Sequence, residues 1–139
     1  MKVIVNIDVP DLSAAINFYV NAFELLHSRT LDNDVAELVG GSIIIYLLQK
    51  DSGAPAAKSS LDTRNYVRHW TPIHLDFVVD NLNAAKQKVL NAGAICESDC
   101  VQWMGSKCIT FSDPFGHGFC LIEFNGDTYT EVSAGKPLK

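Results

Sequence analysis

Apolar and polar residues alternate near the start of the chain: Val3, Val5, Ile7 and Val9 fall on one face, Ile4, Asn6 and Asp8 on the other. Period two over this length predicts a half-buried strand. The pattern then turns helical. Asp11 stands where an N-cap belongs, and Leu12, Ile16, Tyr19 and Phe23 form one apolar stripe. Three shorter apolar runs follow, at roughly 26–31, 35–39 and 42–48, the last two joined by Gly40-Gly41. They predict strands.

The series then repeats at an offset of 70: Val9 meets Val79, Leu12 meets Leu82, and Ala14-Ala15 meets Ala84-Ala85. Leu75, Phe77 and Val79 alternate as a second opening strand, and Asp80 or Asn81 caps a second helix carrying Leu82, Ala85 and Val89. Gly93 sits where a left-handed C-terminal residue belongs. Strand candidates at roughly 95–101, 107–112 and 119–124 complete the copy, the last two joined by the turn Asp113-Pro-Phe-Gly-His-Gly118. The order is βαβββ, twice. Module one covers about 2–49 and module two about 72–125, with a connector over about 50–71 and a C-terminal tail over 126–139. Neither half holds enough core alone, so the two must pack as one domain.

Composition narrows the classes. Of 139 residues 47% are hydrophobic, which supports a sizeable core, and the net charge of −5 argues against nucleic acid as a partner. The longest apolar run, Ile43 to Leu48, is six residues, whereas a membrane helix needs about 20. No targeting segment is read at the N-terminus, where Asp8 interrupts the apolar stretch. Cys96, Cys100, Cys108 and Cys120 match no paired zinc spacing and are expected to be buried free thiols of a cytoplasmic protein.

The doubled unit ending in Asp-Pro-Phe-Gly-His-Gly-Phe-Cys-Leu-Ile-Glu-Phe, with Val9-Pro10-Asp11-Leu12 and Phe18-Tyr19 in the first copy, resembles the vicinal oxygen chelate superfamily. That group includes glyoxalase I, bleomycin resistance proteins, fosfomycin resistance enzymes and extradiol dioxygenases. The resemblance implies an α+β fold whose two modules form a cupped, eight-stranded mixed sheet. It also implies a metal site on cup-facing positions of the first and last strand of each module. Carried over, these are Ile4, Tyr46, His74 and Glu123. Only His74 and Glu123 are ordinary metal ligands, although Asp76 or Asp8 on the same face could add a third.

Alternation places Asp8, His74, Asp76 and Tyr46 in the cup, together with Phe119, Leu121 and Glu123. Trp70 and Trp103 are expected on its rim, and His117 in a solvated turn. The expected function is binding of a small organic molecule by a homodimer, through His74, Glu123, Tyr46, Asp76, Asp8, Trp70 and Trp103, with no tightly bound cofactor. The acids around the cup suggest a cationic or polyhydroxylated ligand, whereas Arg64, Arg68 and His69 in the connector favour an anion if the connector closes over the cup. The alternative is a divalent-metal-dependent lyase, isomerase or dioxygenase in which His74 and Glu123 hold the ion and Glu123 or another acid moves a proton. A weaker third reading is a partner-binding module that keeps the cup as scaffold. The connector is read as either a solvated linker or a lid.

Overall fold

In the computed structural model, residues 1–130 are described; 131–139, most of the expected tail, lie outside the described residues. The fold is α+β and built of two βαβββ modules. The first runs β1 (Ile4–Val9), α1 (Leu12–Phe23), β2 (Leu26–Leu31), β3 (Val35–Val39) and β4 (Ile44–Gln49). The second runs β5 (Leu75–Val78), α2 (Leu82–Ala92), β6 (Ile95–Cys96), β7 (Val101–Trp103), β8 (Ser106–Ser112) and β9 (Gly118–Phe124). Strand order is β1-β4-β3-β2 in one sheet and β5-β9-β8-β6 in the other, with β7 also on β8. In each module the opening strand pairs parallel with the last, and the remaining pairs are antiparallel.

Two details depart from expectation. The strand expected over 95–101 is split into β6 and β7, because residues 97–100 leave the ladder and Ser98 Oγ accepts from Thr110 N at 2.9 Å. The strands also form two separate hydrogen-bonded sheets, β1 and β5 standing at an edge of each.

Both helices start as their caps dictate. Asp11 accepts from Ala14 N at 3.1 Å and Asn81 from Ala84 N at 3.0 Å, satisfying backbone donors that have no intrahelical partner. Gly93 ends α2 at φ 118°, where any side chain would be strained. The buried face of α1 is Leu12, Ala15, Phe18, Tyr19 and Ala22, rotated slightly from the expected stripe, so Ile16 and Phe23 lie at its margin. The core is shared. The helices pack on each other and each against its own sheet, their buried faces joining Ala36, Leu38, Ile45 and Leu47 of the first module and Ile109, Phe111, Phe119 and Leu121 of the second in one core. Phe23 stacks on Phe77 across the module boundary, with ring centroids 3.9 Å apart.

Candidate functional site

Packing the helices inside leaves the opposite face of each sheet open. Register fixes what lies there. On the first sheet Ile4, Asn6 and Asp8 sit opposite Ile44, Tyr46 and Leu48, with Glu37 beside Tyr46 and Arg29 beside Glu37. On the second, Asp76 and Val78 sit opposite Cys120 and Ile122.

Between β1 and β5, beneath the connector, lies a cavity of about 530 Å³. Val5, Ile7, Leu75, Phe77, Phe115 and Phe119 supply apolar wall. Its polar groups include Asn6, Asp8, Arg64, His69, His74 and His117. A small molecule fits such a volume, and an apolar body with few polar anchors is what such sites offer.

The connector is folded onto this cavity. Residues 53–64 form a small hairpin closed by Gly53 N to Arg64 O and Arg64 N to Ala54 O, both 2.8 Å. Arg64 Nε donates to Asp8 Oδ2 at 2.6 Å, Tyr66 Oη to Lys50 O at 2.7 Å, and Arg68 to both oxygens of Glu97 at 2.8 and 2.9 Å. Burial raises the Tyr66 pKa, so its hydroxyl remains the donor. Gly116 and Gly118 let the connector seat on the last turn: a Cβ on Gly116 would strike the carbonyl of Tyr66, and one on Gly118 the guanidinium of Arg68. The connector is thus tied down at Arg64, Tyr66 and Arg68, while most of its residues remain exposed.

His117 is likewise not free in solvent. Its Nδ1 lies 2.7 Å from Asp113 Oδ2, and Asp113 is fully buried. Asp113 Oδ1 accepts from the backbone of Phe115 at 2.8 Å and of His117 at 2.9 Å, while Tyr19 Oη donates to Oδ2 at 2.5 Å. Burial, then the charge of Asp113, holds the Tyr19 pKa well above the usual phenol, which keeps it a donor. Sequence reasoning gave Tyr19 and Asp113 no site role, and weighed Arg64 only as a connector residue that would favour an anion. One signal was available, since a Tyr on a buried helical stripe must find a partner for its hydroxyl.

The residues singled out from sequence separate into four places. Asp8 and His74 reach the cavity. His74 Nε2 is 3.1 Å from Asp76 Oδ1, and these two gather with buried Cys120 so that one donor atom from each lies within 4.8 Å of the others. Trp70, largely exposed, borders a recess beside His74 and Cys120. Tyr46 lies elsewhere on the first sheet, donating to Glu37 Oε2 at 2.5 Å, and Glu37 also takes Ser28 Oγ and Arg29. Those hydrogen bonds, from Ser28 first, bring the Glu37 pKa down to about 2. Trp103 stands exposed on β7 against Tyr129.

Glu123 requires a correction. It faces α2 rather than the cup, accepting from Leu82 N at 2.9 Å as Gln49 Oε1 accepts from Leu12 N at 2.8 Å. Register makes Gln49 and Glu123 equivalent, four residues further apart than the 70 that relates the helices, so Tyr46 is matched by Cys120. Leu121 shares the Glu123 face and is core, so it also leaves the cup, whereas Phe119 on that face is buried but still borders the cavity.

A family model described as a glyoxalase-like domain matches residues 4–122. The chain belongs to the glyoxalase-like domain family. It lies within the vicinal oxygen chelate superfamily, in agreement with the motifs read from sequence. Among similar glyoxalase-like structures is a fosfomycin resistance protein from Listeria monocytogenes (TM-score 0.68, 17% identity, 88% of this chain and 92% of that one). Another is a lactoylglutathione lyase from Agrobacterium tumefaciens (TM-score 0.61, 20% identity, 88% and 92%). At these identities the likeness is one of fold. A Mycobacterium bovis protein described as uncharacterized is 26% identical over 116 residues, covering 81% of this chain and 76% of that one.

The metal positions of this glyoxalase-like chain do not converge as carried over. Ile4 has no lone pair, Tyr46 is committed to Glu37, and Glu123 is committed to α2. The three donors that do gather, His74, Asp76 and Cys120, offer one imidazole, one carboxylate and one thiol. That set suits zinc in number. The charge around the cavity also differs from expectation: Asp8 is neutralised by Arg64, Asp76 faces His74, and Glu123 is elsewhere. The acids therefore do not favour a cationic ligand.

Proposed function

We propose that the protein binds a small organic molecule in the cavity between the modules, without a tightly held catalytic metal. The observation that carries this reading is the cavity itself, with aromatic wall, polar anchors and a covering segment tied down by Arg64, Tyr66 and Arg68. The connector supports it further, because Arg64 and His69 bring polar anchors to an otherwise largely apolar wall.

Screening aromatic compounds for a rise in melting temperature, followed by methyl NMR of the hits, tests the proposal. Shifts are expected at Val5, Ile7, Ile73 and Leu75, which line the cavity, and not at Ile44 or Val78. Hits that shift only Ile44 and Val78 would overturn it.

A second reading rests on His74, Asp76 and Cys120. A divalent ion there would act as a Lewis acid on a substrate with neighbouring oxygens, and His74 would present it at the cavity edge. Zinc titration separates the readings. Sub-micromolar binding lost in both His74→Ala and Cys120→Ser favours the metal, and weak binding unchanged in either variant favours the ligand cavity.

The protein is further proposed to act as a homodimer. The open sheet faces carry Ile4, Ile44, Val78 and Val101, exposed by 54%, 37%, 65% and 57%. Apolar surface on such faces is what a twofold partner covers.

A further inference from the structure

We propose that His117 is a proton acceptor in the cavity, so that the molecule bound there is a small aromatic compound with an acidic hydroxyl, held as its oxyanion. The inference rests on the cavity being the binding site and names the chemistry that site selects.

The geometry starts at Asp113. Both of its oxygens are saturated, Oδ1 by two backbone N–H groups and Oδ2 by Tyr19 Oη and His117. A buried carboxylate with that many donors is fixed in place. With no unprotonated acceptor role left for Nδ1 beside a carboxylate, the ring carries its proton there and presents Nε2 as an acceptor. Nε2 has no hydrogen-bond partner among the described residues, and His117 lies on the cavity wall. A histidine held by a buried carboxylate is oriented and is stabilised once it becomes an imidazolium.

The titratable and charged groups around this ring and its cavity are Asp113 on its own turn, Tyr19 from α1, Tyr66 from the connector at a centroid distance of 6.2 Å, Arg68, whose guanidinium lies against Gly118, and Arg64, His69, Asp8 and His74 on the cavity wall. Arg64 spends Nε on Asp8 and Nη1 on Pro55 O, leaving Nη2 unpartnered among the described residues.

The step balances within these groups. The ligand O–H bond breaks, its electron pair stays on oxygen, and an N–H bond forms at His117 Nε2. The new imidazolium lies against Asp113 and offsets the oxyanion, while Arg64, its charge already paired with Asp8, offers only its Nη2 donor. Phe77, Phe115 and Phe119 supply the wall for the aromatic body.

The probe is 4-nitrophenol, whose phenolate alone absorbs strongly in the violet, with 4-nitroanisole as the analogue lacking the acidic proton. Both are titrated with the full chain at about one pH unit below the probe's own pKa, where about a tenth of free probe is ionised. The expected result is violet absorbance that rises on adding protein, with the probe's apparent pKa lowered by about one unit or more. His117→Gln should keep a cooperative melting transition, which shows that it is folded, yet lose the phenolate signal about tenfold. Binding of 4-nitrophenol in its neutral form, or a phenolate signal unchanged in His117→Gln, overturns the inference while the cavity reading stands. Failure of both probes to bind overturns the inference, whereas the cavity reading itself fails only if the compound screen also maps no hit to the cavity.

Discussion

Replacing Glu123 by Ala removes the acceptor for Leu82 N, a donor at the head of α2 that no intrahelical carbonyl reaches. The expected cost is about 1 kcal/mol in urea unfolding. Glu123→Gln should cost less, because Gln49 already fills the equivalent place in module one. A second prediction at this scale concerns Glu37. Its folded pKa is depressed from 4.5 to about 2, so its stabilising contribution is complete above about pH 4.5 and is lost as pH falls toward about 2. Glu37→Gln should therefore flatten the acid limb of the stability curve across that window, as read by denaturant midpoints. Cysteine chemistry follows the same logic. Burial, then Cys120, pushes the Cys108 thiol up to about 12, whereas Cys96 and Cys100 are exposed rather than buried as expected. Mass spectrometry after brief iodoacetamide treatment should show Cys96 and Cys100 modified well before Cys108.

Among the elements, the connector carries the sharpest contrast. Gly116 has φ 91° and faces the Tyr66 backbone, which cannot yield without moving the chain; Gly118 faces only the end of a flexible Arg68 side chain. Gly116→Ala should thus be strongly destabilising and should raise amide exchange across residues 53–68. Gly118→Ala should be mild, with loss limited to the Arg68–Glu97 pair. Equal exchange in the two variants would argue against a docked connector. Little of this docking was readable in the sequence, because a segment of Gly, Ala, Ser and Asp carries no periodic pattern. Its placement depends on single long-range contacts such as Arg64 to Asp8 and Arg68 to Glu97.

For the whole molecule, the exposed apolar sheet faces are the surface that the proposed homodimer would cover. Light scattering is expected to give about 30 kDa, twice the 15.2 kDa of the chain. Val78→Asp should shift it toward the monomer while leaving the melting transition cooperative, since Val78 is 65% exposed in the single chain. A monomer in the parent protein would leave the apolar faces without their proposed cover. Among the described residues no helix is long and apolar enough to cross a membrane.

Local chemistry determined a large part of this protein before any tertiary contact formed. Alternation marked β1 and β5, Asp11 and Asn81 marked the helix starts, and Gly93 marked an end, because each depends on neighbours within a few residues. The doubled order and the motif around Asp113 carried the family. Tertiary structure alone decided which face the last strand turns inward. Reading Glu123 as the partner of Tyr46 implies an offset of 77, while the register sets 74; the odd difference of three reverses the face. That register is fixed by parallel pairing with β5 and by the longer turn after Asp113, neither of which is visible in the period of one strand. The same long-range folding brought Tyr19 to Asp113 across 94 residues and set the half-buried His117 imidazole against a buried carboxylate in what sequence read as a solvated turn.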